Sequence, residues 1–250
     1  MSKSVKPYTW RPDLPDHRDY IYASKKITVP VAVDMRASCP PVYDQGQLGS
    51  CTGNAIAAAM EYAHHAETGV FLTPSRLFIY YNERALEGTI HYDAGAQIRD
   101  GIKTVVAQGV CLEKTWPYNI ARFTQRPPAK AYREGLGFQA VSYARVPRDL
   151  ATMKNCLASK TPFVFGFSVY DAFESDAVAS SGILNMPGPD EKMLGGHAVL
   201  CVGYDDGTQR FIVRNSWGTS WGQAGYFTMP YAYLLNENLA DDFWSIKFTE

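Results

Sequence analysis

The stretch that most constrains this chain is Tyr43-Asp44-Gln45-Gly46-Gln47-Leu48-Gly49-Ser50-Cys51-Thr52-Gly53-Asn54-Ala55. Gly46 and Gly49 allow backbone angles that other residues resist, so its first half reads as a turn. From Cys51 the chain continues Thr-Gly-Asn-Ala-Ile-Ala-Ala-Ala-Met-Glu-Tyr-Ala, a good helix former despite Gly53. Ser50 is placed to cap that helix, which puts Cys51 in the first turn. Unpaired amides and the dipole there favour negative charge. A thiol at that position is expected to lose its proton more easily, and the thiolate is the nucleophile. A buried cysteine that merely packs is the competing reading.

Two downstream segments decide between them. Gly195-Gly196-His197-Ala198-Val199-Leu200 sets a histidine at the head of an apolar strand, and Arg214-Asn215-Ser216-Trp217-Gly218 sets an asparagine after the strand Phe211-Ile212-Val213. Cysteine, imidazole and an orienting amide are the parts of a nucleophile–base–orienter triad. In this order, and with these local sequences, the chain resembles the papain-like (C1) cysteine peptidases. In that family the histidine and asparagine lie about 130–150 residues past the cysteine. Here His197 lies 146 residues past Cys51 and Asn215 lies 164 past it, slightly long. Leu48 replaces the family's second cysteine, three before the nucleophile, and Thr52 replaces the aromatic just after it. The first change loses a potential disulfide and the second alters packing under the helix start; neither removes a triad member.

The resemblance implies that Cys51 is the nucleophile, His197 the general acid and base, and Asn215 the group that orients the imidazole. Gln45, six before Cys51, matches the family's oxyanion-hole glutamine, a side-chain amide beside the nucleophile's own N–H. Gly95 is the candidate for backbone pairing with an extended substrate. Gly195, Gly196, Trp217 and Trp221 would line the substrate groove, with Trp217 also shielding the His197–Asn215 bond. The subsite wall would draw on Gly195, Ala198 and side chains near Val141 and Ser168. The fold implied is α+β and papain-like: residues 28–140 mainly helical with Cys51, residues 141–250 an antiparallel, barrel-like half with His197 and Asn215, and the cleft between.

The local patterns agree with helices first and strands later. Glu67-Thr68-Gly69 stops the Cys51 helix; Thr73-Pro74 starts a second one with a tyrosine-rich core face; Asp93 opens a third; and 150–158 is a short helix with Met153 and Leu157 inward. Segments 141–146, 162–170, 197–204, 210–215, 225–229 and 238–248 read as strands, with Asp205-Asp206-Gly207 a hairpin turn. Residues 1–27 are polar and proline-broken and read as an N-terminal arm or short prosegment; a surface strap anchored by Trp10 and Tyr20 is expected ahead of an inhibitory plug, since some 27 residues is short for occluding a cleft.

Composition narrows the classes. A net charge of −1 makes no electrostatic case for nucleic acid or an anionic membrane, and no apolar run is long enough to span a bilayer. No signal-peptide core is visible, so the expected location is the cytosol, or export by another route or with a trimmed leader. Four cysteines besides Cys51 suffice for two bridges, although the missing leader favours reduced thiols. No zinc, phosphate-loop or dinucleotide motif occurs, and no cofactor or metal is implied. The expected partner is a peptide or protein substrate, and oligomeric state is not legible. The leading expectation is a peptidase working through a thioester. A transpeptidase, amidase or isopeptidase with the same triad, or a papain-shaped binding module without activity, are the alternatives.

Overall fold

A computed structural model describes residues 7–140 and 142–247. The expected strand ends Val141 and Phe248, and the first six residues of the N-terminal segment, lie outside the described residues. In chain order the elements are β1 (Ala32–Asp34), α1 (Cys51–Thr68), α2 (Arg76–Leu86), α3 (Ile98–Ala107), α4 (Ala129–Gly135), β2 (Ser142–Arg145), α5 (Leu150–Ala158), β3 (Phe163–Tyr170), α6 (Asp176–Ser181), β4 (Met193–Asp205), β5 (Arg210–Arg214), β6 (Tyr226–Pro230), α7 (Tyr231–Leu235) and β7 (Ala240–Lys247).

The strands form one antiparallel sheet in the order β2-β7-β3-β4-β5-β6, with β1 paired to the far end of β4. No pairing joins β2 to β6 among the described residues, so the sheet is open, looser than the barrel-like half expected. β3 and β4 are central and buried along most of their length, which is why they read as near-continuous apolar runs. Their register sets Phe167 opposite His197 and Ser168 opposite Gly196.

α1 lies against β4 and is buried from Cys51 through Tyr62. Its alanines bring the helix backbone close to the sheet without lost rotamer entropy. Gly53 has a packing reason: a β-carbon there would stand 2.9 Å from the Arg76 carbonyl oxygen of α2. The close approach offsets the roughly 1 kcal/mol that a helical glycine costs relative to alanine.

Several helix starts differ from expectation. The Ser50 side chain does not cap α1; its hydroxyl is bonded to the Tyr118 hydroxyl, and Asn54 Nδ2 donates back to the Ser50 carbonyl at 2.9 Å. α2 is capped by Ser75, whose Oγ accepts from the Phe78 amide, while Thr73 donates to Glu61. α3 begins at Ile98, because Asp93 is held in the preceding loop: it accepts from the Gly49 amide at 2.9 Å and from the Tyr80 hydroxyl. α1 ends as expected at Gly69, in the left-handed region with φ 72°.

Candidate active site

The loop before α1 is fastened to the loop after β5. The Gln45 amide donates to the Ser216 carbonyl at 2.8 Å, the Gly218 amide to the Tyr43 carbonyl at 2.9 Å, and the Ser216 hydroxyl to Gln45 Oε1 at 2.6 Å. That last bond turns Gln45 Nε2 the other way, where one of its two protons meets the Leu48 carbonyl at 3.0 Å. A wholly buried carboxamide bonded at both ends has a fixed orientation, the requirement for an oxyanion donor.

His197 is wholly buried on β4, with Nε2 2.9 Å from Asn215 Oδ1. Asn215 Oδ1 also accepts from the Ser216 amide at 2.8 Å, and the Asn215 backbone amide donates to Gly225, so the orienting side chain is itself fixed. Trp217 covers the imidazole at 5.3 Å between ring centroids, and Trp221 stands edge-on to Trp217 at 5.1 Å. Phe167 and Phe173 complete an aromatic collar that keeps water from the imidazole–amide bond.

Cys51 is the first residue of α1 and is fully buried. The amides of Ala198, the residue after His197, and of Thr52 lie against its sulfur and lower the thiol's proton affinity, and the Thr9 hydroxyl oxygen is close by. Burial outweighs them and pushes the thiol up to about 11. The lowered thiol expected at a helix start is therefore not found in this closed arrangement. Desolvation of the charged form exceeds what a few amide donors return.

What closes the arrangement is the N-terminal segment. Residues 8–11 run through the groove rather than over the surface. Thr9 forms a parallel bridge to Gly196 and its hydroxyl donates to the Gly49 carbonyl at 2.7 Å. The Trp10 amide donates to the Gly196 carbonyl at 2.9 Å and the Arg11 amide to the Ala96 carbonyl at 3.3 Å. Tyr8 stands 6.2 Å from both His197 and Trp217, and its hydroxyl donates to Glu174 at 2.7 Å. Trp10 is a buried anchor as expected, but the Tyr20 ring is not: the residue is 73% exposed and ties the segment to β2 through its backbone carbonyl, which accepts from the Arg145 amide at 2.7 Å.

The glycines expected to line the substrate groove meet this segment. A β-carbon at Gly95 (φ +66°) would lie 1.9 Å from the Thr9 carbonyl oxygen, one at Gly195 2.7 Å from Tyr8 Cβ, and one at Gly196 2.5 Å from the Trp10 indole. The Gly95 amide itself donates to the Tyr80 hydroxyl, so the backbone group offered to the groove is the Ala96 carbonyl. Ala96, Gly49, Ser216 and Gly166 were missed. Gly166 carried a signal: an isolated glycine amid the aromatics of β3 marks a close approach. Its β-carbon would lie 1.9 Å from Trp10 Cε2.

Thr52 is buried with its hydroxyl donated to Glu83 of α2, and Leu48 is buried where a second cysteine was lacking. All five cysteines are free thiols. No helix among the described residues is long and apolar enough to cross a membrane.

The family model for papain family cysteine proteases matches residues 29–238. An uncharacterised peptidase C1-like protein of Acanthamoeba polyphaga mimivirus is 49% identical over 216 residues, covering 82% of this chain and 68% of that protein. A cathepsin L-like peptidase of Aedes aegypti is 31% identical, over 81% of this chain and 59% of its own length. The crystal structure of xylellain, a cysteine protease from Xylella fastidiosa, superposes with a TM-score of 0.91 at 42% identity, covering 99% of this chain and 100% of that one. The chain belongs to the papain family of cysteine proteases.

Proposed function

We propose that this protein hydrolyses peptide bonds through a thioester on Cys51. The observation that carries the reading is that the groove already holds an extended peptide, the protein's own residues 8–11, by backbone bonds to Gly196 and Ala96, beside a cysteine whose sulfur meets the amide of Ala198, the residue that follows the amide-oriented His197. Backbone pairing of this kind recognises extended chains irrespective of sequence.

With Nε2 engaged by Asn215, the proton exchanged with the thiol passes through His197 Nδ1. The thiolate adds to the substrate carbonyl, and the oxyanion is met by the Cys51 amide and the second Nε2 proton of Gln45. Collapse of the adduct breaks the C–N bond, and the imidazolium protonates the departing amine. Water, deprotonated by His197, then adds to the thioester, releasing the acid and returning the thiol. Asn215 does its part as a neutral acceptor, with no second buried charge. The same chemistry with an amine in place of water would give acyl transfer.

The reading is tested by turnover of an unfolded protein substrate, with and without added amines. Free acid products from the unaltered protein and none from Cys51→Ala support it. Transfer products alone point to acyl transfer, and turnover by Cys51→Ala removes the nucleophile assignment.

A further inference from the structure

The segment that fills the groove is held a second time, away from the reacting atoms. Four residues beyond Thr9, the Asp13 side chain is fully buried. Its Oδ2 accepts from Trp244 Nε1 at 2.8 Å and from Arg145 Nη2 at 3.2 Å, and its Oδ1 from the Arg99 amide at 3.1 Å. The Asp13 amide donates to Asp242 Oδ2 at 2.8 Å, and Asp242 Oδ1 meets the same Arg145 Nη2 at 3.4 Å. Asp19 closes the cluster, taking Arg99 Nη2 at 2.6 Å and Arg145 Nε at 3.2 Å. Asp241, half exposed, pairs with Arg145 and Arg148.

Around this point the arm contributes Asp13 and Asp19, α3 contributes Arg99, β2 and the turn after it contribute Arg145 and Arg148, and β7 contributes Asp241 and Asp242. Tyr143 of β2 flanks them beside Trp244, and Asp16 and His17 line the outer side of the same cavity. Asp16 is paired with its own neighbour Arg18, which leaves four carboxylates facing three guanidinium groups. With every group ionised the cluster holds one uncompensated negative charge, and the two most deeply buried carboxyls, Asp13 and Asp242, reach for the same guanidinium nitrogen. Such a pair resists double ionisation.

We infer that the Asp13 cluster is a proton-set latch on the arm: the groove stays closed while the Asp13–Asp242 pair holds a proton, and it opens as that proton is lost. The inference rests on the peptidase reading only for what opening achieves. Burial, and then the charge of Asp13, push Asp242 up to about 8, and burial raises Asp13 as well. When the arm leaves, Asp242 regains water and loses its anionic neighbour, so its affinity for the proton falls. The closed form therefore holds a proton that the open form gives up. The contribution of Asp242 to the latch is full below the open form's ordinary carboxyl range. It weakens by up to about tenfold per pH unit as pH rises, and is spent above about 8.

The test is amide hydrogen exchange of residues 8–11, above all the bonded amides of Trp10 and Arg11, in the full chain between pH 5.5 and 9, corrected for intrinsic exchange, with peptide turnover measured in parallel. Asp242→Asn keeps the acceptor for the Asp13 amide, and asparagine tolerates the left-handed backbone at this position (φ 57°). The unaltered protein is expected to lose at least tenfold in protection of the arm between pH 6 and 8.5, and Asp242→Asn to show flat protection. Asp13→Ala, on the arm itself, is expected to be unprotected at every pH. A parallel loss in the unaltered protein and Asp242→Asn overturns the latch, as does an Asp13→Ala arm protected like the parent. An arm that exchanges freely without any peptide turnover refutes the peptidase reading and leaves the latch standing.

Discussion

The indole of Trp10 occupies the space that a side chain at Gly166 would need, with the would-be β-carbon 1.9 Å from Cε2. The arm and the floor of the groove are thus fitted to each other at this point. Truncating a buried tryptophan to alanine typically removes about 3–5 kcal/mol. Part of that is arm docking, so Trp10→Ala is expected to raise turnover by the full-length chain at least tenfold at pH 7. Gly166→Ala is expected to expel the arm when Trp10 is present and to add little in the Trp10→Ala background. A double-mutant cycle on arm protection reads this directly, and additive effects would mean that the two residues do not meet.

In the proposed mechanism Asn215 touches no substrate and acts only through His197. Asn215→Ala is expected to lower kcat by roughly 10²-fold with KM little changed, because a general acid–base contributes about 10²–10⁴ and a misoriented ring keeps part of it. Steady-state kinetics on the arm-released Trp10→Ala background check this. An unchanged kcat removes Asn215 from the site.

The Cys51 thiol is raised to about 11 in the closed form by burial. A raised thiol means that the closed form favours the proton, so closure is fully supported below the ordinary thiol range and loses support as pH climbs from there toward 11. Alkylation of Cys51 by a small haloacetamide is expected to be slow at pH 7 in the parent and to accelerate into the alkaline range. In Trp10→Ala the profile is expected to shift to lower pH as water reaches the sulfur. Identical profiles would show that the arm does not set the thiol's acidity.

Glu83 is fully buried under the start of α1 and is pushed up to about 8 by desolvation, only partly countered by the Thr52 hydroxyl. Its folded value lies above its unfolded one, so its contribution to stability is full below about 4.5 and is lost as pH rises to about 8. The loss is at most about 1.4 kcal/mol per unit. Glu83→Gln is expected to flatten the fall in Tm between pH 5 and 8. An unchanged slope would show that this carboxyl does not carry that dependence.

The neighbourhood of Gln45, Cys51, His197 and Asn215 was legible because each sits in a short segment whose local chemistry names it: a glycine turn running into a helix, a histidine heading an apolar strand, an asparagine between a strand and an indole. The course of residues 8–11 was not legible. A polar, proline-broken segment has no periodicity that says where it docks, and its partners Gly49, Ala96, Gly166 and Gly196 lie far off in sequence. The acidity of Cys51 departs from the expectation for the same reason, since the helix start is local and the arm packed over it is not. Ser50 was read as a cap because nothing nearby announces Tyr118, which takes its hydroxyl. The helix starts at Ser75 and Ile98 were missed because Thr73 and Asp93 make equally good local caps and are drawn off by Glu61, Gly49 and Tyr80.

The most direct measurement is peptide-resolved mass spectrometry of the full chain quenched during turnover of a slow ester substrate. An acyl adduct is expected on the peptide containing Cys51, absent from His197→Ala and from Cys51→Ala. Turnover that proceeds with no adduct on Cys51, or that persists in Cys51→Ala, would contradict a thioester at the head of α1.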